Sequence, residues 1–172
     1  AKPYSGSNSI GCLKVEKEGD ISKSLINNDK IIFTEFIGED YCEYTVDMYY
    51  NRYGKLKCLV PRERIEVRAG EISKGITRKN YVYDYVLSQF KDLPGAKGCI
   101  TLQLFYNEQT HKIYFIEINP RFGGGFPLSY SANANFPKWI IDEYFFDIEI
   151  PFFDNWKKDL LMLRYDSKIL IK

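Results

Sequence analysis

The chain has 172 residues, 45% hydrophobic and 27% charged, with a formal net charge of +1. That balance fits one globular domain with a proper core, or two small lobes, and excludes a chain that is disordered as a whole. It argues against nucleic acid or an anionic membrane as the main partner, and no apolar run approaches the roughly 18–20 residues that span a bilayer.

In chain order, SGSNSIG (5–11) reads as a small-residue loop, and DISKSLINN (20–28) predicts a short helix capped by Asp20. KIIFTEFI (30–37) is β-branched and aromatic, which predicts a strand. CEYTVDMYY (42–50) alternates and runs through Asn51-Arg52-Tyr53-Gly54 into KLKCLVPRERIEV (55–67), a hairpin pattern. RAGEISKG (68–75) reads as a basic, glycine-bearing loop. KNYVYDYVLSQFKDL (79–93) carries Val82, Tyr85, Val86 and Phe90 on one helical stripe. GCITLQLFYN (98–107) and HKIYFIEIN (111–119) flank a short turn and predict a second hairpin. NFPKWIIDEYFF (135–146) opens with Asn and an early Pro, a helix start, and DLLMLRYDSKILI (159–171) predicts one or two returning strands. Helices interleaved with antiparallel hairpins make the class α+β.

Cys12, Cys42, Cys58 and Cys99 are scattered without a Cys-x-x-Cys pair and read as reduced thiols of a cytosolic protein. Most of the 14 tyrosines and 12 phenylalanines fall on strand-like segments, where they read as core and sheet formers. The opening AKPYSG resembles the end of a strand entering a turn, so the chain is expected to be a fragment.

YFIEINPRFGGGFPLSY (114–130) carries the chemistry. Side chains alternate along a strand, so Glu117 and Asn119 share a face, with Phe115 expected beside them and Ile116 and Ile118 pointing into a core. A carboxylate next to an amide oxygen is a hard-oxygen pair suited to Mg²⁺, which keeps waters and phosphate oxygens as its other ligands. Ordinary hairpin register brings Gln103 across from Glu117. Arg121 follows directly and can neutralise a phosphate, while Gly123, Gly124 and Gly125 let backbone N–H groups approach an anion.

FIEINPRFGGG resembles the metal-binding signature of the ATP-grasp superfamily. KPYSGSNSIG resembles that family's Lys-Pro strand and phosphate-covering loop, and FTEFIGEDYCEYTVDMY its adenine linker and following strand. VPRERIEVRAGEISKGIT with GCITLQLFYN most resembles the branch around the carbamoyl-phosphate synthase large subunit and its stand-alone relatives.

The resemblance implies an ATP-grasp fold represented by its C-terminal portion, with the N-terminal domain missing. Residues 1–37 would be part of the small lobe and 38–172 the large lobe with the Mg-ATP site. It implies that Lys2 and the loop containing Ser5, Gly6, Ser7 and Gly11 contact the ATP phosphates. Glu35 and Ile37 would meet adenine, with Phe36 between them as packing, and Glu43 would hold the ribose. Gln103, Glu117 and Asn119 would bind Mg²⁺, or Mn²⁺ in its place, and Arg121 would act with Lys2 as the catalytic cations. Arg68 and Lys74 would add charge near the acceptor. The implied reaction is an ATP-dependent ligation in which a carboxylate becomes an acyl phosphate and is passed to an amine or another nucleophile. A fragment is expected to be nearly inactive alone, working with its missing domain or a partner chain. Sheet edges left uncovered would leave homodimerisation open. The alternatives are a nucleotide-binding module of a multi-chain complex and an ATP-grasp scaffold that serves only as an interaction domain.

Overall fold

A computed structural model describes residues 1–5, 11–68 and 70–165. In chain order the elements are β1 (Lys2–Pro3), a 3-10 turn (Glu18–Asp20), α1 (Lys23–Ile26), β2 (Ile31–Ile32), β3 (Cys42–Tyr50) and β4 (Leu56–Arg68). Then follow β5 (Glu71–Thr77), α2 (Tyr81–Phe90), β6 (Gly98–Tyr106), β7 (Ile113–Asn119), α3 (Phe126–Ser131), α4 (Phe136–Phe146) and β8 (Leu161–Leu163). β1 and β2 form a two-stranded sheet of their own, and the other six strands form one antiparallel sheet in the order β7-β6-β3-β4-β5-β8.

Alternation along β3 divides the six-stranded sheet into two faces. Tyr44, Val46, Met48 and Tyr50 share a face with Leu102 and Leu104, their buried neighbours on β6. α2 covers that face: the Tyr50 hydroxyl donates to the Phe90 carbonyl at 2.6 Å, and Asn80 Nδ2 donates to the Tyr44 hydroxyl at 3.1 Å. On the opposite face Tyr49 packs against Phe136 and Trp139 of α4, with ring centroids 5.5 and 5.6 Å away. The Tyr49 hydroxyl also donates to buried Glu143 at 2.5 Å. Burial, then that carboxylate, push the Tyr49 hydroxyl far above the ordinary tyrosine range. Both hairpins and both long helices match their sequence patterns, with Asn80 and Asn135 accepting from the backbone N–H of Val82 and Lys138 as N-caps. The cysteines are all free thiols.

Several expectations need correcting. The helix expected over 20–28 shortens to α1, capped by Ser22, whose Oγ accepts from Leu25 N at 3.2 Å. Asp20 instead turns back to accept from the Glu16 and Lys17 amides, each at 3.2 Å. The strand expected over 30–37 is only Ile31–Ile32, because its partner β1 offers two residues and no other described strand lies beside it. Phe36 is not packed but 62% exposed, with the Lys14 ammonium 4.7 Å above its ring. The basic loop expected over 68–75 is the turn of a β4–β5 hairpin and most of β5, in which buried Ile72 and Ser73 anchor the strand while Lys74 pairs across it with Glu66. β8 fulfils the returning strand in part, and residues 166–172 lie outside the described residues. No helix among the described residues is long and apolar enough to cross a membrane.

The β4–β5 hairpin gives an acid-stability prediction. Glu66 accepts from Lys74 Nζ at 2.5 Å and from Ser73 Oγ and Arg68 Nε at 2.8 Å each. Lys74 first, then Ser73, hold its pKa down from the usual 4.5 to about 2. The ionised form is favoured by folding, so its contribution is complete above pH 4.5 and is lost as pH falls toward 2. Glu66→Gln is therefore expected to flatten the decline in melting temperature across that window. A decline as steep as the parent's would contradict this role.

Candidate functional site

The β6–β7 turn is built on Asn107, whose Oδ1 accepts from the amides of Gln109 (3.0 Å) and Thr110 (2.8 Å). That tight closure sets the strand register, and Gln103 pairs with Glu117 while Thr101 pairs with Asn119. Gln103 Nε2 and Asn119 Nδ2 both donate to Glu117 Oε1, each at 2.7 Å. Glu117 Oε2 and Asn119 Oδ1 accept no hydrogen bond among the described residues. Gln103, Glu117 and Asn119 are thus in direct side-chain contact. Phe115, however, is not part of this group. The register slips between Gln103 and Leu104, so Phe115 pairs with Leu104 and Ile116 bulges out. Phe115 consequently lies on the α2 side, with its ring centroid 5.2 Å from that of Phe90, and Ile118 is 46% exposed rather than in a core.

β3 and β4 extend the cluster. Glu43 Oε1 accepts from Arg64 Nη1 at 2.6 Å, and the same nitrogen donates to Gln103 Oε1 at 3.2 Å. Glu43, Arg64, Gln103, Glu117 and Asn119 therefore form one hydrogen-bonded row across four strands. Burial raises the Glu43 pKa above the ordinary carboxylate value; Arg64 pulls it down, and the nearby Glu117 carboxylate pushes it up. Arg64 Nη2 donates to the Gly70 carbonyl at 3.0 Å, and its Nε is buried with no partner among the described residues.

Further along β3 and β4, on the same face as the row, lies a buried charge pair. Arg62 donates from Nε (2.7 Å) and Nη2 (3.1 Å) to the two oxygens of Asp47, which also accepts from Ser129 Oγ at 2.6 Å. Arg62 and Asp47 are 1% and 0% exposed. The three glycines after Arg121 pack onto this foundation. A Cβ on Gly125 would collide with Arg62 Nη1 and come within 2.8 Å of Ile72 Cγ2, and one on Gly124 would meet Glu71 Oε2. None of the three has a positive φ, so at Gly125 it is small size beside Arg62 and Ile72, not backbone freedom, that the position requires. Thr101 Oγ1 fixes its start by donating to the Arg121 carbonyl at 2.7 Å.

The structure brings Glu43, Gln103, Glu117 and Asn119 together. The Arg121 side chain is exposed next to them, donating only to the Phe122 carbonyl at 3.2 Å among the described residues. Lys2 is half-buried in β1 opposite Ile32, Ser5 is exposed, and Gly11 adopts φ +79° against Pro3. Gly6 and Ser7 lie outside the described residues. Glu35 and Ile37 follow β2 in irregular chain. No hydrogen bond or ion pair among the described residues joins Lys2, Ser5, Gly11, Glu35, Phe36 or Ile37 to the row. Arg68 and Lys74 are both engaged by Glu66. Sequence reasoning missed Asp47, Arg62 and Arg64; a lone Asp at the centre of an alternating apolar strand was the available signal, because a buried carboxylate demands a cationic partner.

The row supplies one free carboxylate oxygen and one free amide oxygen side by side, with no cluster of three His, Cys, Asp or Glu side chains among the described residues. This donor set fits Mg²⁺, which needs few protein oxygens when phosphates and waters complete its shell. Residues 28–160 match the family model for ATP-grasp in the biosynthetic pathway with Ter operon. Among solved structures, the biotin carboxylase domain of a thermophilic 2-oxoglutarate carboxylase bound to bicarbonate is 16% identical with a TM-score of 0.55, the match covering 72% of this chain and 29% of that one. The biotin carboxylase subunit of pyruvate carboxylase gives the same four values. The Hydrogenobacter thermophilus 2-oxoglutarate carboxylase biotin carboxylase domain, solved with MgADP, ADP and bicarbonate, is 17% identical with a TM-score of 0.48, covering 60% of this chain and 24% of that one. The chain thus spans between 24% and 29% of the length of these proteins. No curated protein sequence matches it. With its family model matched over residues 28–160 and an α+β fold shared with part of the two biotin carboxylases at TM-score 0.55, the chain belongs to the ATP-grasp family of the biosynthetic pathway with Ter operon.

Proposed function

We propose that this chain is the C-terminal, ATP-binding catalytic part of a cytoplasmic ATP-grasp ligase of the carbamoyl-phosphate synthase large-subunit type. The reading is supported most by one observation: Glu117 on β7 keeps one oxygen free beside Asn119, with Gln103 holding its other oxygen from β6. Glu117 and Asn119 would hold Mg²⁺ or Mn²⁺, with Gln103 as a third donor once its amide turns. A bound metal would neutralise charge on the transferred phosphoryl oxygens. Arg121, exposed at the end of β7, would face the phosphoryl group and stabilise negative charge as it develops.

Residues 1–37 would form part of the small lobe, Lys2 and the loop from Ser5 to Gly11 closing over the phosphates, with residues 38–172 as the large lobe. Glu35 and Ile37 would contact adenine, and Glu43 the ribose. A carboxylate oxygen of the acceptor would attack the γ-phosphorus, forming an acyl phosphate and releasing ADP. An amine would then attack the acyl carbon, expel phosphate and lose a proton to solvent, leaving an amide. No side-chain nucleophile is needed, and His111, packed against Tyr81 with ring centroids 4.7 Å apart and bonded to the Tyr106 hydroxyl at 2.8 Å, has a structural role in the turn. The acceptor surface would be completed by a further domain or a partner chain.

Calorimetric titration with a non-hydrolysable ATP analogue, with and without Mg²⁺, tests the reading. Mg²⁺-dependent binding should weaken at least about tenfold, or about 1.4 kcal/mol, in Glu117→Gln. Equal affinity in parent and variant would refute it.

A further inference from the structure

The row contains a cation of its own. The Arg64 side chain is 11% exposed and lies between Glu43 and Gln103, donating to both from one nitrogen at 2.6 and 3.2 Å. Two consequences follow for a metal ion. Glu43 and Glu117 are the row's carboxylates, and the guanidinium offsets one of them, so a divalent ion meets a net charge of about −1 instead of the −2 that the carboxylates alone would present. The Gln103 amide is also committed: its oxygen accepts from Arg64, and its Nε2 donates to Glu117. The oxygen that would make Gln103 a ligand is therefore held by the arginine. Arg64 Nε, buried without an acceptor among the described residues, leaves a donor that an anionic ligand oxygen can satisfy.

Resting on the reading of this row as the metal site, we propose that Arg64 is its resident cation, which keeps free divalent metal off the row and makes metal loading depend on an anionic nucleotide. Nucleotide phosphates reverse the balance in two ways. They bring the negative charge that a divalent ion needs, and they offer acceptors to the guanidinium, which frees the Gln103 oxygen.

The test uses Mn²⁺ alone, titrated into the chain and followed by electron paramagnetic resonance, with thermal melts to verify folding. Arg64→Gln should bind Mn²⁺ at least about tenfold more tightly than the parent, because Glu43 and the Gln103 oxygen are released. Arg64→Lys, which keeps the charge, should stay near the parent, and the Glu43→Gln/Arg64→Gln pair should lose the gain. A folded Arg64→Gln that binds no more tightly overturns the proposal, as does an equal gain in Arg64→Lys. Should Arg64→Gln fail to fold, Glu43→Gln decides: the row then has no net charge and Mn²⁺ binding should fall below the parent's, whereas unchanged binding overturns the idea. These titrations contain no nucleotide. A gain in Arg64→Gln alongside Glu117-independent nucleotide binding would sink the nucleotide reading and leave the cation role standing; the reverse pattern would sink the cation role alone.

Discussion

Asp47→Ala is expected to destabilise the protein by about 3–5 kcal/mol, the usual cost of removing one partner from a buried ion pair. The residue is fully buried, and both of its oxygens are engaged by Arg62, with Ser129 as a third donor. Removing the carboxylate leaves the Arg62 guanidinium charged, 1% exposed and without its bidentate acceptor. Burial of that charge is what makes the loss large: in an exposed pair such as Lys14–Glu16, water solvates whichever charge is left, so its removal should change stability little. Urea unfolding should show a lower midpoint with an unchanged slope. A shift of less than about 1 kcal/mol would mean that water or a neighbour solvates Arg62, and that the pair is not the foundation of the β7–α3 crossing.

Gly125→Ala is expected to be the second most damaging change. Its φ of −90° is open to any residue, so backbone strain is not the reason. The added Cβ would collide with Arg62 Nη1 and sit 2.8 Å from Ile72 Cγ2, and neither neighbour has room to retreat. Overpacking alone costs about 1–3 kcal/mol, and pushing Arg62 off Asp47 moves the loss toward about 3–5 kcal/mol. Gly124→Ala provides the control. Its Cβ would meet only the carboxylate of Glu71, a side chain 57% exposed that can swing aside, so stability should change by about 0.5 kcal/mol or less. Because Gly125 and Asp47 act on the same guanidinium, the double variant Asp47→Ala/Gly125→Ala should lose much less than the sum of the two. Comparable losses for the two glycine variants, or full additivity of the double, would contradict this packing account.

The sequence made the hairpins legible because alternation and a short turn fix register locally. Gln103 opposite Glu117 followed from counting outward from the turn. The faces of Phe115 and Ile116 did not, since a bulge changes parity without leaving a mark in composition. Strand β5 was hidden for another reason. RAGEISKG lies near the sheet rim, where Glu66 satisfies Lys74 across strands and Arg68 along its own, and a polar rim strand has the composition of a loop. The glycines stood out in the sequence, but the close approach of Arg62 to Gly125 and of Glu71 to Gly124 did not, because it depends on the β7–α3 crossing. Arg64 could not be placed at all, because its partners Glu43 and Gln103 lie 21 and 39 residues away and only strand order brings them together. What the sequence carried well was the adjacency of Glu117 and Asn119; what it could not carry was the cation that the fold inserts beside them.

We propose that β7 and β6 present a metal–nucleotide site. Anomalous diffraction from crystals grown with Mn²⁺ and a non-hydrolysable ATP analogue tests it most directly. The account predicts a manganese peak within about 2.0–2.3 Å of an oxygen of Glu117 and of Asn119 Oδ1, bridging to the analogue's phosphates. Manganese and analogue bound elsewhere, with Glu117 still held only by Gln103 and Asn119, would contradict it.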